Sequence, residues 1–357
     1  MPRLAVLTAF LSMSLALALS SAACSGGGPA DRAGDRLRGG PRGAAADPDA
    51  GAVTQLPGPG SSSLTPAIPP PPGAKPRLVL KAEARALAVF GTSLVYGDTI
   101  EDGVFSVPKA GGEPKRIARR SPISRSFAID NEEISWVASP GDAVLKASMH
   151  TGAFPTTIRD RGIFADVAAT RGDVFVNEVI GAGGALTRIT GATAARIASF
   201  DGAPRGLVVD GSHAFIVTPA KILKAPHVKG DVVTIATGAN LEWPALTNDR
   251  LYYVGEGDGF RRRVVYAVAK TGGAPAIVAR DVRDAPIAIE GGELYWFDGS
   301  RPQLRAVTLA DPQATPRILA EDDALAAPIS IALDATTVYA GTGSKEQGTI
   351  VAIARKP

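Results

Sequence analysis

Between residues 77 and 357 one pattern of apolar and polar positions recurs seven times. Its clearest part is an apolar, aromatic-rich triplet: Leu94-Val95-Tyr96, Ile134-Ser135-Trp136, Val174-Phe175-Val176, Ala214-Phe215-Ile216, Leu251-Tyr252-Tyr253, Leu294-Tyr295-Trp296 and Val338-Tyr339-Ala340. The steps between them are 40, 40, 40, 37, 43 and 44 residues. A polar turn signal stands before the triplets, as at Asp130-Asn131, Asp210-Gly211, Asn248-Asp249 and Gly291-Gly292. Before the turn lies a short apolar run, such as Leu87-Ala88-Val89, Phe127-Ala128-Ile129, Leu207-Val208-Val209 or Ile331-Ala332-Leu333. Apolar run, turn, apolar run predicts a β-hairpin. A third run follows each triplet, as in Val104-Phe105-Ser106-Val107 and Leu304-Arg305-Ala306-Val307, several with the alternation of a half-buried strand. A fourth run centres on Ile117, Ile158, Ile197, Ile235, Ile277 and Ile318.

The fourth run occurs six times, and the chain ends at Pro357 before a seventh. The missing copy is at the other end, where Pro76-Arg77-Leu78-Val79-Leu80 matches Pro316-Arg317-Ile318-Leu319-Ala320. Four short strands in about 40 residues form the blade of a β-propeller. The expected fold is therefore all-β: a seven-bladed β-propeller of four-stranded blades over 77–357, its ring closed when Arg77 to Leu80 completes the last blade beside Ile350 to Ile353. Closure of this kind removes free strand edges. An open solenoid would not explain the displaced strand.

The run Ile287-Ala288-Ile289-Glu290-Gly291-Gly292-Glu293-Leu294-Tyr295-Trp296-Phe297-Asp298 resembles a YWTD-type repeat. The Gly-Gly-x-Pro endings at Gly111-Gly112-Glu113-Pro114 and Gly272-Gly273-Ala274-Pro275 resemble blades of TolB-type propellers and related bacterial lipoproteins. This resemblance spans the propeller segment. It implies an exported protein, with binding or chemistry at the mouth of the central channel, where the first strand of each blade begins.

The N-terminus supports export. Arg3 is followed by an uncharged apolar stretch from Leu4 to Leu19 and then by small residues, so residues 1–23 read as a signal peptide. Cys24, the only cysteine in the chain, comes next. Ser21-Ala22-Ala23-Cys24 resembles the lipobox of bacterial lipoproteins, which implies that Cys24 carries lipid and becomes the mature N-terminus. Ordinary signal-peptidase cleavage and an uncleaved anchor remain as alternatives. Residues 25–76 hold 11 Gly and 11 Pro in 52 positions and have no apolar periodicity. Such a composition predicts a linker without a core, so 24–76 is expected to tether 77–357 to a membrane.

Composition adds mostly exclusions. Net charge is +3, from 38 basic and 35 acidic residues. Without clusters of Lys and Arg, nucleic-acid binding is not expected. His150, His213 and His227 fall on different repeat positions, so the sequence implies no metal site and no cofactor. Nucleophile and phosphate-loop motifs are missing. Tyr96, Trp136, Tyr253 and Trp296 share one repeat column; packing between blades is the expected role, a binding face the alternative.

One column at the start of the first strands reads Arg85, Arg125, Ala165, Arg205, Glu242, Ala285 and Ile329. Arg85, Arg125, Arg205 and Glu242 are the candidate contacts at the channel mouth, where converging guanidinium groups would suit an anionic ligand or an acidic partner. Solvated arginines paired with nearby acids are the plainer alternative. The expected protein is a monomeric, envelope-tethered, non-catalytic binding or scaffolding module for a protein or cell-envelope component. A propeller enzyme with a site at the channel mouth, such as a lyase, lactonase or quinone-dependent dehydrogenase, is the alternative, because propellers host both roles.

Overall fold

The computed structural model describes residues 75–98, 100–119, 123–150, 154–257, 262–343 and 348–355, with residues 123–125 described by backbone alone. Cys24, the leader and nearly all of the linker lie outside the described residues. Among the described residues are 28 strands and one short 3-10 turn, Asp323–Leu325. The strands form seven four-stranded antiparallel sheets, each ordered as in the chain except the last. No helix among the described residues is long and apolar enough to cross a membrane.

The first strands are Ala84–Phe90, Ile123–Asp130, Phe164–Thr170, Gly206–Val209, Glu242–Leu246, Ala288–Glu290 and Pro328–Leu333, and they number the blades 1 to 7. Each first strand packs beside the first strands of the two neighbouring blades, so the seven close a ring around the channel. The aromatic triplets fall in the second strands. These are sandwiched between blades and buried on both faces, which explains runs such as Leu251-Tyr252-Tyr253-Val254 instead of strict alternation. Trp136, Trp296 and Tyr253 are almost wholly buried and Tyr96 nearly so; the aromatic column is core. Each apolar cluster is shared by two adjacent blades, so no blade has a core of its own.

Blade 7 is closed as expected. Arg77–Leu80 pairs antiparallel with Thr349–Ala354, with Arg77 opposite Ala352 and Leu78 opposite Val351. Val79 is buried in a cluster with Leu94, Phe105 and Val107 of blade 1 and Tyr339 and Ile350 of blade 7. The Arg77 guanidinium reaches blade 1, donating to the Lys109 and Ala110 carbonyls at 2.9 Å each. One strand thus finishes one blade and fastens the next.

The Gly-Gly-x-Pro motif has a mechanical role here. Gly111 and Gly112 take φ of +94° and +127°, and Gly272 and Gly273 repeat this with +92° and +128°. These values favour glycine. A side chain at Gly111 would also start 3.0 Å from the Val79 carbonyl oxygen. The lysine before each turn crosses to the preceding blade: Lys109 pairs with Asp334, and Lys270 with Asp210, both at 2.9 Å. Each of these aspartates also accepts two backbone N–H groups of its own turn, from Thr336 and Thr337 or from Ser212 and His213. Lys-x-Gly-Gly-x-Pro is therefore an inter-blade clasp.

Candidate functional site

The starts of the first strands surround one rim of the channel. On the side formed by blades 1, 5, 6 and 7 lies a cavity of about 280 Å³. Glu83 and Arg85 line it from blade 1, Trp243 from blade 5, Asp284, Ala285 and Pro286 from the lead into blade 6, and Pro328 and Ile329 from blade 7. Its walls combine an indole, prolines and an isoleucine with two carboxylates and a guanidinium.

Trp243 carries the unusual backbone. Its φ is +53°, in the left-handed region. A bulky residue rarely adopts this region, and a following proline disfavours helical conformations in the residue before it. Here that proline is Pro244. The strand shifts register between Glu242 and Ala245, a bulge that re-aims the side chain. Gly206 of blade 4 makes the bulge possible, since a side chain there would start 2.5 Å from Pro244 Cδ. The indole is fixed by Asp284, whose Oδ1 accepts from Trp243 Nε1 at 3.0 Å.

Asp284 is itself held. Arg263 Nη1 lies 3.2 Å from its Oδ2, and Arg263 Nη2 lies 3.7 Å from Glu242 Oε2. Arg205 Nη1 donates to Glu242 Oε1 at 2.8 Å. A relay from blade 4 through blade 5 to blade 6 therefore positions the indole. Across the cavity, Arg85 Nε donates to Glu83 Oε1 at 3.1 Å. Arg85, Arg205 and Arg263 thus each face a carboxylate on this side of the mouth.

Among the four mouth candidates, Arg85 lines the cavity directly. Glu242 and Arg205 stand two and three contacts behind Asp284, joined to it through Arg263. The Arg125 side chain lies outside the described residues. The contributions of Trp243 and Glu83 escape a column-by-column reading of the sequence. The signal for Trp243 was present: the next column reads Ala86, Ser126, Asp166, Gly206, Trp243, Pro286 and Ser330, so a lone indole stands among compact residues.

The three histidines do not converge with acids as a ligand set. His150 is exposed, His213 begins the second strand of blade 4, and His227 packs against Phe175 at 4.3 Å between ring centroids. Among the described residues no three of His, Cys, Asp or Glu are grouped to hold a metal ion.

No family model matches the chain, and no curated protein matches it in sequence. Solved structures do match it. Hydrazine synthase of Kuenenia stuttgartiensis aligns with a TM-score of 0.58 and 13% identity, over 78% of this chain and 96% of that one. Oligogalacturonate lyase of Vibrio parahaemolyticus aligns at 0.57 and 10%, over 78% and 90%. The Cps50 (Swd1) β-propeller domain of Myceliophteria thermophila aligns at 0.57 and 12%, over 77% and 99%. At such identities the likeness is one of architecture alone, and together with the seven closed blades it makes this chain a β-propeller.

Proposed function

We propose that the chain is an envelope-tethered, non-catalytic β-propeller lipoprotein that binds a protein or cell-envelope component at the channel mouth. The observation that carries this reading is the mouth cavity, whose indole is held in a strained conformation by a three-blade relay. Strain of this kind costs on the order of 1–3 kcal/mol and collects at ligand clamps. The ordered ion pairs favour binding over reaction: each acid near the cavity faces a guanidinium, and a group so occupied is poorly placed to accept a substrate proton. The lipobox-like Ser21-Ala22-Ala23-Cys24 supports attachment to a membrane, and the TolB-type and YWTD-like repeat features agree with an exported propeller.

Photo-crosslinking in the native envelope tests this. A crosslinking amino acid is placed at Ile329 in the mouth, and at Asp311, an exposed turn position on the opposite face, as control. Discrete adducts from Ile329 and none from Asp311 support the reading. No adduct from the mouth, or the same adducts from both faces, refutes it.

A further inference from the structure

The cavity walls restrict the chemistry of a ligand. An anion entering beside Arg85 would meet Glu83, already 3.1 Å from that guanidinium, and Asp284. A cation drawn to Asp284 would meet Arg263. Either charge would have to break a pair to gain a partner. A hydroxyl group does not, because it donates and accepts at once. It can give its hydrogen to Asp284 or Glu83 and take one from Arg85 while the ion pairs persist. The remaining wall is apolar and partly aromatic: the Trp243 indole, Pro286, Pro328 and Ile329. A ligand matching both halves has an apolar ring face rimmed by hydroxyls.

We infer that the mouth cavity is a glycan-binding site, in which the C–H face of a neutral sugar ring lies on Trp243 and its hydroxyls bond Asp284, Glu83 and Arg85. This rests on the reading of the mouth as the binding face. The cavity, at about 280 Å³, is near the lower end of the roughly 300–1,000 Å³ of small-molecule pockets. It therefore holds a small saccharide or the end of a longer one. The positive φ at Trp243 and the Asp284 bond to its Nε1 set the indole before the ligand arrives, which lowers the ordering cost of binding. The Arg205–Glu242–Arg263 relay positions Asp284 and does not itself touch the sugar.

The full chain is screened on an array of defined neutral and acidic oligosaccharides, and in parallel against a library of short peptides, with hits titrated by calorimetry. A neutral glycan should bind, with affinity little changed between low and physiological salt. Trp243→Ala should weaken it more than tenfold, and Trp243→Phe, which keeps a ring face, should weaken it less. Ile329→Trp, which fills the cavity from another wall, should abolish binding, and it keeps the test decisive if Trp243→Ala fails to fold. Binding of no neutral glycan, or a glycan affinity unmoved by both Trp243→Ala and Ile329→Trp, overturns the inference. Peptide binding lost in Ile329→Trp, without glycan binding, also overturns it while leaving the mouth as the binding face.

Discussion

Removing the closing strand should cost this propeller far more than removing the segment before it. Deleting residues 25–70 leaves Arg77–Leu80 in place, whereas deleting 25–82 takes it away. Val79 is 7% exposed, and a side chain buried to that degree contributes about 1.5–3 kcal/mol. The two Arg77 hydrogen bonds to blade 1 add about 1 kcal/mol each. That is about 4 kcal/mol before the lost ladder with Thr349–Ala354 is counted. Net stabilities are only about 5–15 kcal/mol, so the loss is a large share. At roughly 2–4 °C per kcal/mol for a domain of this size class, the midpoint should fall by about 10 °C. Differential scanning fluorimetry on the two deletions and on Val79→Asp reads it directly. The shorter deletion should melt like the parent, and the other two should melt well below it. Equal midpoints for both deletions would refute closure by this strand as a stabilising device.

Arg355 should behave as a second lock: its buried guanidinium donates to Tyr295 Oη, the Glu290 carbonyl and the Asp334 carbonyl, so Arg355→Met should cost about 1–3 kcal/mol for each acceptor left unsatisfied, read as a lower urea midpoint at unchanged slope. Burial opposes ionisation of the Asp210 and Asp334 carboxyls, but turn N–H groups together with Lys270 and Lys109 outweigh it and hold both below the usual carboxylate range. Their stabilisation is therefore complete above about pH 4 and lost as pH falls below it, and Lys270→Met should flatten that loss in acid melts. Gly111→Ala should destabilise by more than about 1 kcal/mol, whereas Gly91→Asn, at φ +56° with open space around it, should melt like the parent. Intact-mass analysis of the membrane fraction should find Cys24 lipidated and N-terminal; an unmodified thiol there, or retention of residues 1–23, would contradict the lipoprotein reading.

The parts of this fold that were legible in the sequence are those where burial dictates residue type. Second strands lie between two blades, so Leu294-Tyr295-Trp296 and its six counterparts are apolar on both faces apart from the buried Ser135, and their spacing reveals the blade count. Closure was legible because Arg77–Leu80 must resemble the outer strands it replaces. First strands were harder. Phe164–Thr170 is diluted by alanine and Glu242–Leu246 is broken by Pro244, since strands at the ring axis are short of space and exposed at their ends. The mouth was half legible. Repeat spacing puts the column of Arg85, Arg205 and Glu242 at the starts of first strands, but it does not say which acid meets which arginine. Glu83 and Arg85 are local neighbours, whereas Arg205 meets Glu242, 37 positions away, only because the ring brings blades 4 and 5 together.

Both ends of the described propeller leave from the same rim. The chain enters Arg77–Leu80 beside the Lys109–Ala110 turn, and Thr349–Ala354 runs out to Arg355, whose backbone N–H donates to Thr336, in the turn after the first strand of blade 7. That rim is opposite the one bearing Arg85 and Trp243. Whatever holds this protein by either terminus, whether a membrane, a fused domain or a bead, therefore carries it like a cup held by the base. Attachment there takes up none of the mouth rim, so the cavity stays open to a ligand while the protein is held. A tether of any length at either end therefore leaves the cavity unobstructed by its own attachment.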